Sequence, residues 1–255
     1  MNFFSRFARR SSEPPVTRAV PEGALVYAIG DIHGRDDLFA ALLDEIDADR
    51  ARHPHELCVL VLLGDLVDRG PASNKVVERA IGLAGRFDRV HHLMGNHEEC
   101  MLAALTGDVR ALRYFIRIGG DATVRSYIDD DAAYDAMEFE ELAAVFPGKV
   151  PQSHVDFLGR GEDMVEYGDY LFVHAGVRPG VALDRQKTSD LRWIRDEFLG
   201  NAAEHGRMVV HGHTISEDVE SRSNRIGIDT GAYASGKLTA IGLCKTDHWF
   251  VQVQG

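Results

Sequence analysis

An aspartate and a histidine stand two apart in GDIHG (Gly30–Gly34), directly after an apolar run. Asp65 follows a second such run in VLLGDLVDRG, and Asn96 and His97 follow a third in HHLMGNHEE. His174 closes LFVHAG, and His211 and His213 close MVVHGHT. Taken singly, each of these polar residues reads as a turn or a helix cap. Repetition at five strand ends points elsewhere. Gathered at one place, Asp31, His33, Asp65, Asn96, His174 and His213 form a mixed oxygen and imidazole set. Such a set suits two divalent cations bridged by a shared carboxylate, and not one closed tetrahedral zinc site. Asp31 and His33 would point the same way in extended backbone, and the glycines beside them permit tight turns and close approach. Two cations about 3.5–4 Å apart acidify a bridging water to hydroxide and neutralise phosphate oxygens, the chemistry of phosphoester hydrolysis.

The elements that must carry these residues alternate. ALVYAIG is strand-like, and Asp36 to Arg50 is helical through Leu38, Leu42, Leu43 and Ile46. LCVLVLLG is a continuous apolar run, as expected of a strand covered on both faces. Ser73 to Leu83 reads as a helix and RVHHLMG as a third strand. This β-loop-α repetition predicts stacked α/β layers with the site at the carboxyl ends of the strands. Residues 98–160 are rich in helix formers. From Met164 the pattern changes to a hairpin turning at Gly168-Asp169 and then to the short strands RMVVHGH, RIGID, KLTAIGLC and HWFVQVQ. The expected organisation is a tail over residues 1–20 and one domain over 21–255, a central β-sandwich flanked by helices with a helical cap around 98–160.

Bulk properties exclude several classes. Net charge is −12, and the first twenty residues carry four arginines against Glu13, so the body is more acidic still. That sign argues against nucleic acid as a partner. No apolar run is long enough to span a membrane. Residues 1–10 could form a short helix with Phe3, Phe4 and Phe7 opposite Arg6, Arg9 and Arg10, a weak membrane-surface contact at most. Cys58, Cys100 and Cys244 are scattered and unpaired in pattern, which predicts a reducing, cytoplasmic setting. Cys100 reads as a core residue and no nucleophile elbow is present. Nothing in the sequence speaks to oligomeric state.

GDIHG, GDLVDRG, GNHE, a strand ending in His174 and HGHT resemble, in this order, the motifs of the phosphoprotein phosphatase family of metallophosphoesterases. The branch most alike is the bacterial and phage one, typified by lambda phage protein phosphatase. The resemblance implies an α/β calcineurin-like metallophosphoesterase fold in four α/β/β/α layers. It implies that Asp31 and His33 hold one metal, that Asp65 bridges, and that Asn96, His174 and His213 hold the other. It further implies His97 as general acid, Asp68 as its orienting partner, and Arg69, Arg195 and Asn96 as phosphate-binding groups. Arg195 is matched only through LRWIRDE. His211 is placed in the strand and not at the metal. Manganese is the implied ion, with iron or zinc compatible with the same ligands. Asp68 is expected to fix the His97 tautomer and to favour its imidazolium.

The substrate is expected to be a phosphorylated protein or a small phosphoester, and a serine/threonine protein phosphatase is the first reading. A symmetrical diadenosine tetraphosphatase, or another dinucleoside polyphosphate hydrolase, is the alternative. Arg110, Arg113 and Arg117 share a face that could hold a polyphosphate or simply be solvated. Against a highly anionic ligand stands the run Asp129–Leu142 with its seven acids. A non-catalytic metal-binding scaffold is a remote third reading.

Overall fold

The structure, a computed structural model, describes residues 17–255. The expectations for residues 1–10 lie outside the described residues. Ala19 and Val20, assigned to the tail by sequence, pack on the fold. Ala19 N donates to Asp169 Oδ2, and buried Val20 donates its N–H to the Lys245 carbonyl.

The chain opens with β1 (Ala24–Ile29), α1 (Asp36–Arg50), β2 (Leu57–Leu62), α2 (Ser73–Ile81) and β3 (Arg89–His92). A helical stretch follows: α3 (Asn96–Ala104), α4 (Val109–Phe115), a π-helical turn (Ile116–Gly120), α5 (Asp121–Ile128), α6 (Asp131–Ala136), α7 (Phe139–Lys149) and α8 (Gln152–Gly159). The hairpin β4 (Met164–Tyr167) and β5 (Tyr170–Val173) comes next, then α9 (Thr188–Trp193), α10 (Asp196–Leu199) and β6 (Met208–His211). The chain ends with β7 (Glu220–Ser221), β8 (Arg225–Gly227), α11 (Ala232–Ser235), β9 (Lys237–Cys244) and β10 (Asp247–Gln254). Strand β7 was not expected from the sequence, because two residues carry no periodicity.

Two five-stranded mixed sheets form, in the orders β10-β9-β1-β2-β3 and β4-β5-β6-β8-β7. Alternation along each strand explains how they stack. In β1, Val26 and Ala28 face the second sheet, while Leu25, Tyr27 and Ile29 face α1 and its neighbours. In β2, Val59 and Val61 face one way and Leu60 and Leu62 the other, so an unbroken apolar run is needed. On the second sheet, Phe172 and Val210 join the inter-sheet core, whereas Leu171, Val173 and Val209 pack with Leu191 and Phe198 of α9 and α10. The result is the expected four-layer α/β/β/α arrangement. Burying each Leu, Val or Ile contributes about 1.5–3 kcal/mol, and each sheet is clamped between two of the three apolar layers. Three strands of each sheet run parallel: β1, β2 and β3 in one, and β5, β6 and β8 in the other. Among the described residues no helix is long and apolar enough to cross a membrane.

Candidate metal centre

Six parallel strands end beside one another, and each is followed within three or four residues by a buried polar side chain. Asp31 follows β1, Asp65 follows β2, Asn96 follows β3, His174 follows β5, His213 follows β6 and Asp229 follows β8. The loops that turn these side chains inward are strained. His33, Asp65, Asp68, Arg69 and His213 all have φ between +46° and +76°, a region that L residues avoid without compensation. Only two other non-glycine residues among those described do the same, Asp129 and Lys245. Strain is therefore concentrated at this one edge of the sandwich.

Asp65 lies at the centre. Its Oδ2 is 3.6 Å from His33 Nε2 and 3.9 Å from His97 Nε2. Its Oδ1 is 3.4 Å from His174 Nε2 and accepts the His97 backbone N–H at 3.1 Å. His174 Nε2 is in turn 3.0 Å from Asn96 Oδ1 and 3.2 Å from His213 Nδ1. Two ligand sets thus share one carboxylate: His33, Asp65 and His97 on one side, Asp65, His174 and His213 on the other.

Asp31 stands outside these two triads but borders them, its carboxyl acted on by the charges of Asp229 and Asp65. Both its oxygens accept the His213 backbone N–H, at 3.1 and 3.0 Å, and it neighbours Asp229. The sequence argument placed Asp31 and His33 on one face of extended backbone. The backbone instead turns at His33 (φ 46°) and Gly34 (φ 65°), so the two side chains take different partners.

The protonation pattern fits divalent cations. His33 Nδ1 donates to the Val67 carbonyl at 2.7 Å and His174 Nδ1 to the Leu63 carbonyl at 2.8 Å, which leaves both Nε2 atoms as lone pairs. Burial pulls His33 well below its ordinary pKa, His174 down to about 4 and His213 down to about 2, so all three are neutral imidazoles. His213 Nε2 and Asp229 Oδ2 are buried with no hydrogen-bond partner. A cluster of lone pairs this dense is repulsive by itself and satisfied by cations, and its nitrogen and oxygen atoms suit manganese, iron or zinc.

A second ring of side chains surrounds these ligands. His97 Nδ1 donates to Asp68 Oδ2 at 2.5 Å, and Thr123 Oγ1 donates to the other Asp68 oxygen at 2.7 Å. Asp68 thus holds Nδ1 as the protonated nitrogen of the His97 ring. Burial lowers the His97 pKa and the Arg69 charge lowers it further, against the opposing pull of Asp65. Arg69 spreads its fork over Nε2 of His33 (2.7 Å) and of His97 (3.1 Å). Arg195 donates to the His213 carbonyl and to Thr214 Oγ1, both at 3.2 Å. His211, the last residue of β6, turns away, with Nδ1 3.0 Å from the Gly212 carbonyl and Nε2 3.5 Å from Arg225.

Two buried acids were not singled out from sequence. Asp229 ends RIGID as Asp31 and Asp65 end their strands, a signal present in the residues but carried by a much shorter apolar run. Glu98 is fully buried and accepts backbone N–H groups from Asp65 (2.8 Å), Leu66 (2.7 Å) and Gly95 (2.9 Å). Burial, reinforced by the Asp65 charge, pushes its carboxyl up to about 7 despite these donors. It holds the strained Asp65 loop in place.

Among the other candidates, Arg113 pairs with Glu140 and lies over Phe139, and Arg117 lies over Tyr114. Asp129, Asp130 and Asp131 line a pocket of about 490 Å³ together with Arg69 and Arg125. Cys100 is buried, and its thiol is pushed up to about 12 by that burial.

Close approach explains one glycine of HGHT. A Cβ on Gly212 would stand 2.0 Å from Asp31 Oδ1, so any side chain there must push the carboxylate aside. Gly212→Ala is expected to weaken metal binding by about 10- to 100-fold, with little change in the unfolding transition of the metal-free protein. Titration with manganese followed by calorimetry checks this.

A family model described as calcineurin-like phosphoesterase matches residues 24–238. A symmetrical bis(5'-nucleosyl)-tetraphosphatase of Acidovorax sp. is 33% identical over 179 residues, covering 70% of this chain and 49% of that protein. This chain thus spans about half the length of the symmetrical enzymes it matches. An asymmetrical bis(5'-nucleosyl)-tetraphosphatase of Bacillus subtilis is 28% identical over 234 residues, covering 83% and 87% of the two chains. Among solved structures, a candidate diadenosine tetraphosphatase superposes with a TM-score of 0.62 at 20% identity, over 95% of this chain and 96% of that one. A cold-active protein tyrosine phosphatase gives 0.54 at 21% identity, over 91% and 81%. These two share the fold. The phage phosphatase branch is not singled out among these relatives, whose names match the alternative substrate better than the first.

Proposed function

The chain belongs to the calcineurin-like phosphoesterase family, and from that premise we propose that it is a divalent-metal-dependent hydrolase of bis(5'-nucleosyl) polyphosphates. The observation that carries the substrate class is the name shared by the relatives aligned over 70% and 83% of the chain. The strand-end cluster supports the chemistry. Two divalent cations held by Asp31, His33, Asp65, Asn96, His174 and His213 would supply Lewis acidity, neutralising phosphate charge and acidifying a water.

The remaining roles belong to the protein. Asp65, the carboxylate common to both ligand sets, holds the two halves of the site in register. Arg69 offers a fork of N–H donors that phosphate oxygens accept better than imidazole nitrogens do, and Arg195 offers a second from the other side of His213. Asn96 turns Oδ1 toward His174 and keeps its amide N–H groups for a phosphate oxygen. His97, with Nδ1 held by Asp68, has only Nε2 with which to take up a proton and release it to the departing oxygen. A phosphate dianion on Arg69 offsets the charge that lowers the His97 pKa, so substrate itself favours the protonated form.

The acidic pocket beside Arg69 favours a second reading, a phosphatase acting on basic phosphopeptides. A substrate panel separates the two. Diadenosine tetraphosphate, a phosphoserine peptide and 4-nitrophenyl phosphate are compared with manganese supplied and again after chelation. The dinucleotide is expected to give a kcat/KM at least about 10-fold above the peptide. Chelation is expected to lower all three rates by about 100-fold or more, reversibly. A preference for the peptide overturns the substrate class, and activity that survives chelation overturns the metal-dependent mechanism.

A further inference from the structure

Tyr233 is a half-exposed aromatic ring on a rigid turn at the lip of the site. Its ring lies 4.8 Å from the guanidinium carbon of Arg69 and 5.5 Å from the His33 ring, yet 36% of the residue remains open to solvent. The turn that carries it, α11, is locked from several directions. Gly231 and Gly236 bracket it, both at φ +70°. Asp229 Oδ1 accepts the Gly231 N–H at 2.9 Å, and Ser235 Oγ donates to the Thr230 carbonyl at 2.7 Å. Arg35 Nη1 donates to the Ala232 carbonyl at 3.0 Å. Beside it, Ile215 is 46% exposed and lies against Gly231. Trp193, also half-exposed, stands two residues before Arg195 with its indole N–H fixed on Glu99 Oε2 at 2.9 Å. Of the five exposed large apolar residues among those described, Tyr233 lies against Arg69, Ile215 lies against the turn that carries Tyr233, and Trp193 is two residues from Arg195.

A ring held this firmly beside a cation, and left open, is a preorganised stacking surface that loses little entropy on binding. We propose that Tyr233 is a specificity-determining residue that stacks a planar aromatic ring of the substrate, the nucleobase in the proposed reaction. The inference rests on the proposed phosphoester site, where the phosphate engages Arg69 while the ring extends over Tyr233. Base stacking is sequence-tolerant, since every base has a π-face, so the residue selects for nucleotides over alkyl phosphates without choosing among bases.

Adenosine 5'-monophosphate and ribose 5-phosphate, which differ only in the base, are the probes. Their dissociation constants are measured by calorimetry on the manganese-loaded protein and on its Tyr233→Ala and Tyr233→Phe variants. The wild type is expected to bind the nucleotide on the order of 10-fold more tightly than the sugar phosphate. That ratio should fall to about one in Tyr233→Ala and persist in Tyr233→Phe. A wild-type ratio near one, or a ratio kept in Tyr233→Ala, overturns the inference. Equal weakening of both ligands in Tyr233→Ala also overturns it, because Tyr233 would then act only by propping Arg69. Failure of the dinucleotide in the substrate panel, with the ligand ratio intact, would reject the proposed reaction and leave the stacking role standing.

Discussion

Asp65→Asn is expected to reduce bound metal from the proposed two ions per chain to one or none and to lower kcat/KM by about a thousandfold or more. Asp65 alone reaches both ligand sets, its two oxygens lying 3.4–3.9 Å from Nε2 of His33, His97 and His174. An amide in its place removes the shared negative charge and turns N–H donors toward one set of lone pairs. The fold should survive. Asparagine tolerates the left-handed backbone (φ 48°) that the position requires, and Glu98 still holds the Asp65 amide. The metal-free variant should be at least as stable as the metal-free wild type. Asp31, Asp65 and Asp229 are buried together and their carboxyls are all pushed up by that burial, so the loss of one carboxylate relieves repulsion. Elemental analysis and denaturant unfolding test both halves. Two ions retained per chain in the variant would remove Asp65 from the bridging role.

Legibility in the sequence divides along physical lines. Strand ends were legible, because apolar runs such as Leu57–Leu62 are demanded by burial on two faces and stop where the chain must turn. Parallel strands covered by helices also fix which end of the sheet carries the site. Local geometry was not legible. The alternation argument for Asp31 and His33 assumed extended backbone, whereas His33 is left-handed (φ 46°), which no periodicity announces. RIGID reads as a strand, but Asp229 was missed because the strand is only Arg225–Gly227 and its apolar run is too short to set off the acid two residues beyond it. Glu98 looked like part of a helix start. Its role is to bind the backbone amides of Asp65, Leu66, Val67 and Gly95, and it depends on a fold that brings Asp65 beside α3. The surroundings of His97 were legible only in part: the neighbouring Asp68 is visible in sequence, whereas burial and an arginine 3.1 Å away, both of which lower its pKa, are not. The Ala19 and Val20 boundary was missed because their partners, Asp169 and Lys245, lie far along the chain.

His97→Asn is expected to separate substrates by leaving group. Cleavage of an alkyl phosphate such as a phosphoserine peptide should slow by about 10²- to 10⁴-fold, the usual contribution of a positioned proton donor. Diadenosine tetraphosphate should slow by only about 10-fold, because its departing oxygen belongs to a nucleotide phosphate, stable as an anion without help. Asparagine is the informative replacement, since its amide N–H can still donate to Asp68 Oδ2, which now receives the His97 Nδ1–H at 2.5 Å. The buried carboxylate is thereby kept partnered and the Thr123 contact undisturbed. Arg69 loses a neighbour at 3.1 Å but keeps His33 at 2.7 Å, so KM should move little and the effect should fall on kcat. Asp68→Asn gives the complementary result. It leaves the imidazole in place while removing the acceptor that selects its tautomer, so it should reproduce the same substrate split at smaller amplitude. Equal losses on the alkyl and dinucleotide substrates would instead place His97 among groups that bind the phosphate, alongside Arg69, and the proton would have to reach the leaving oxygen from solvent.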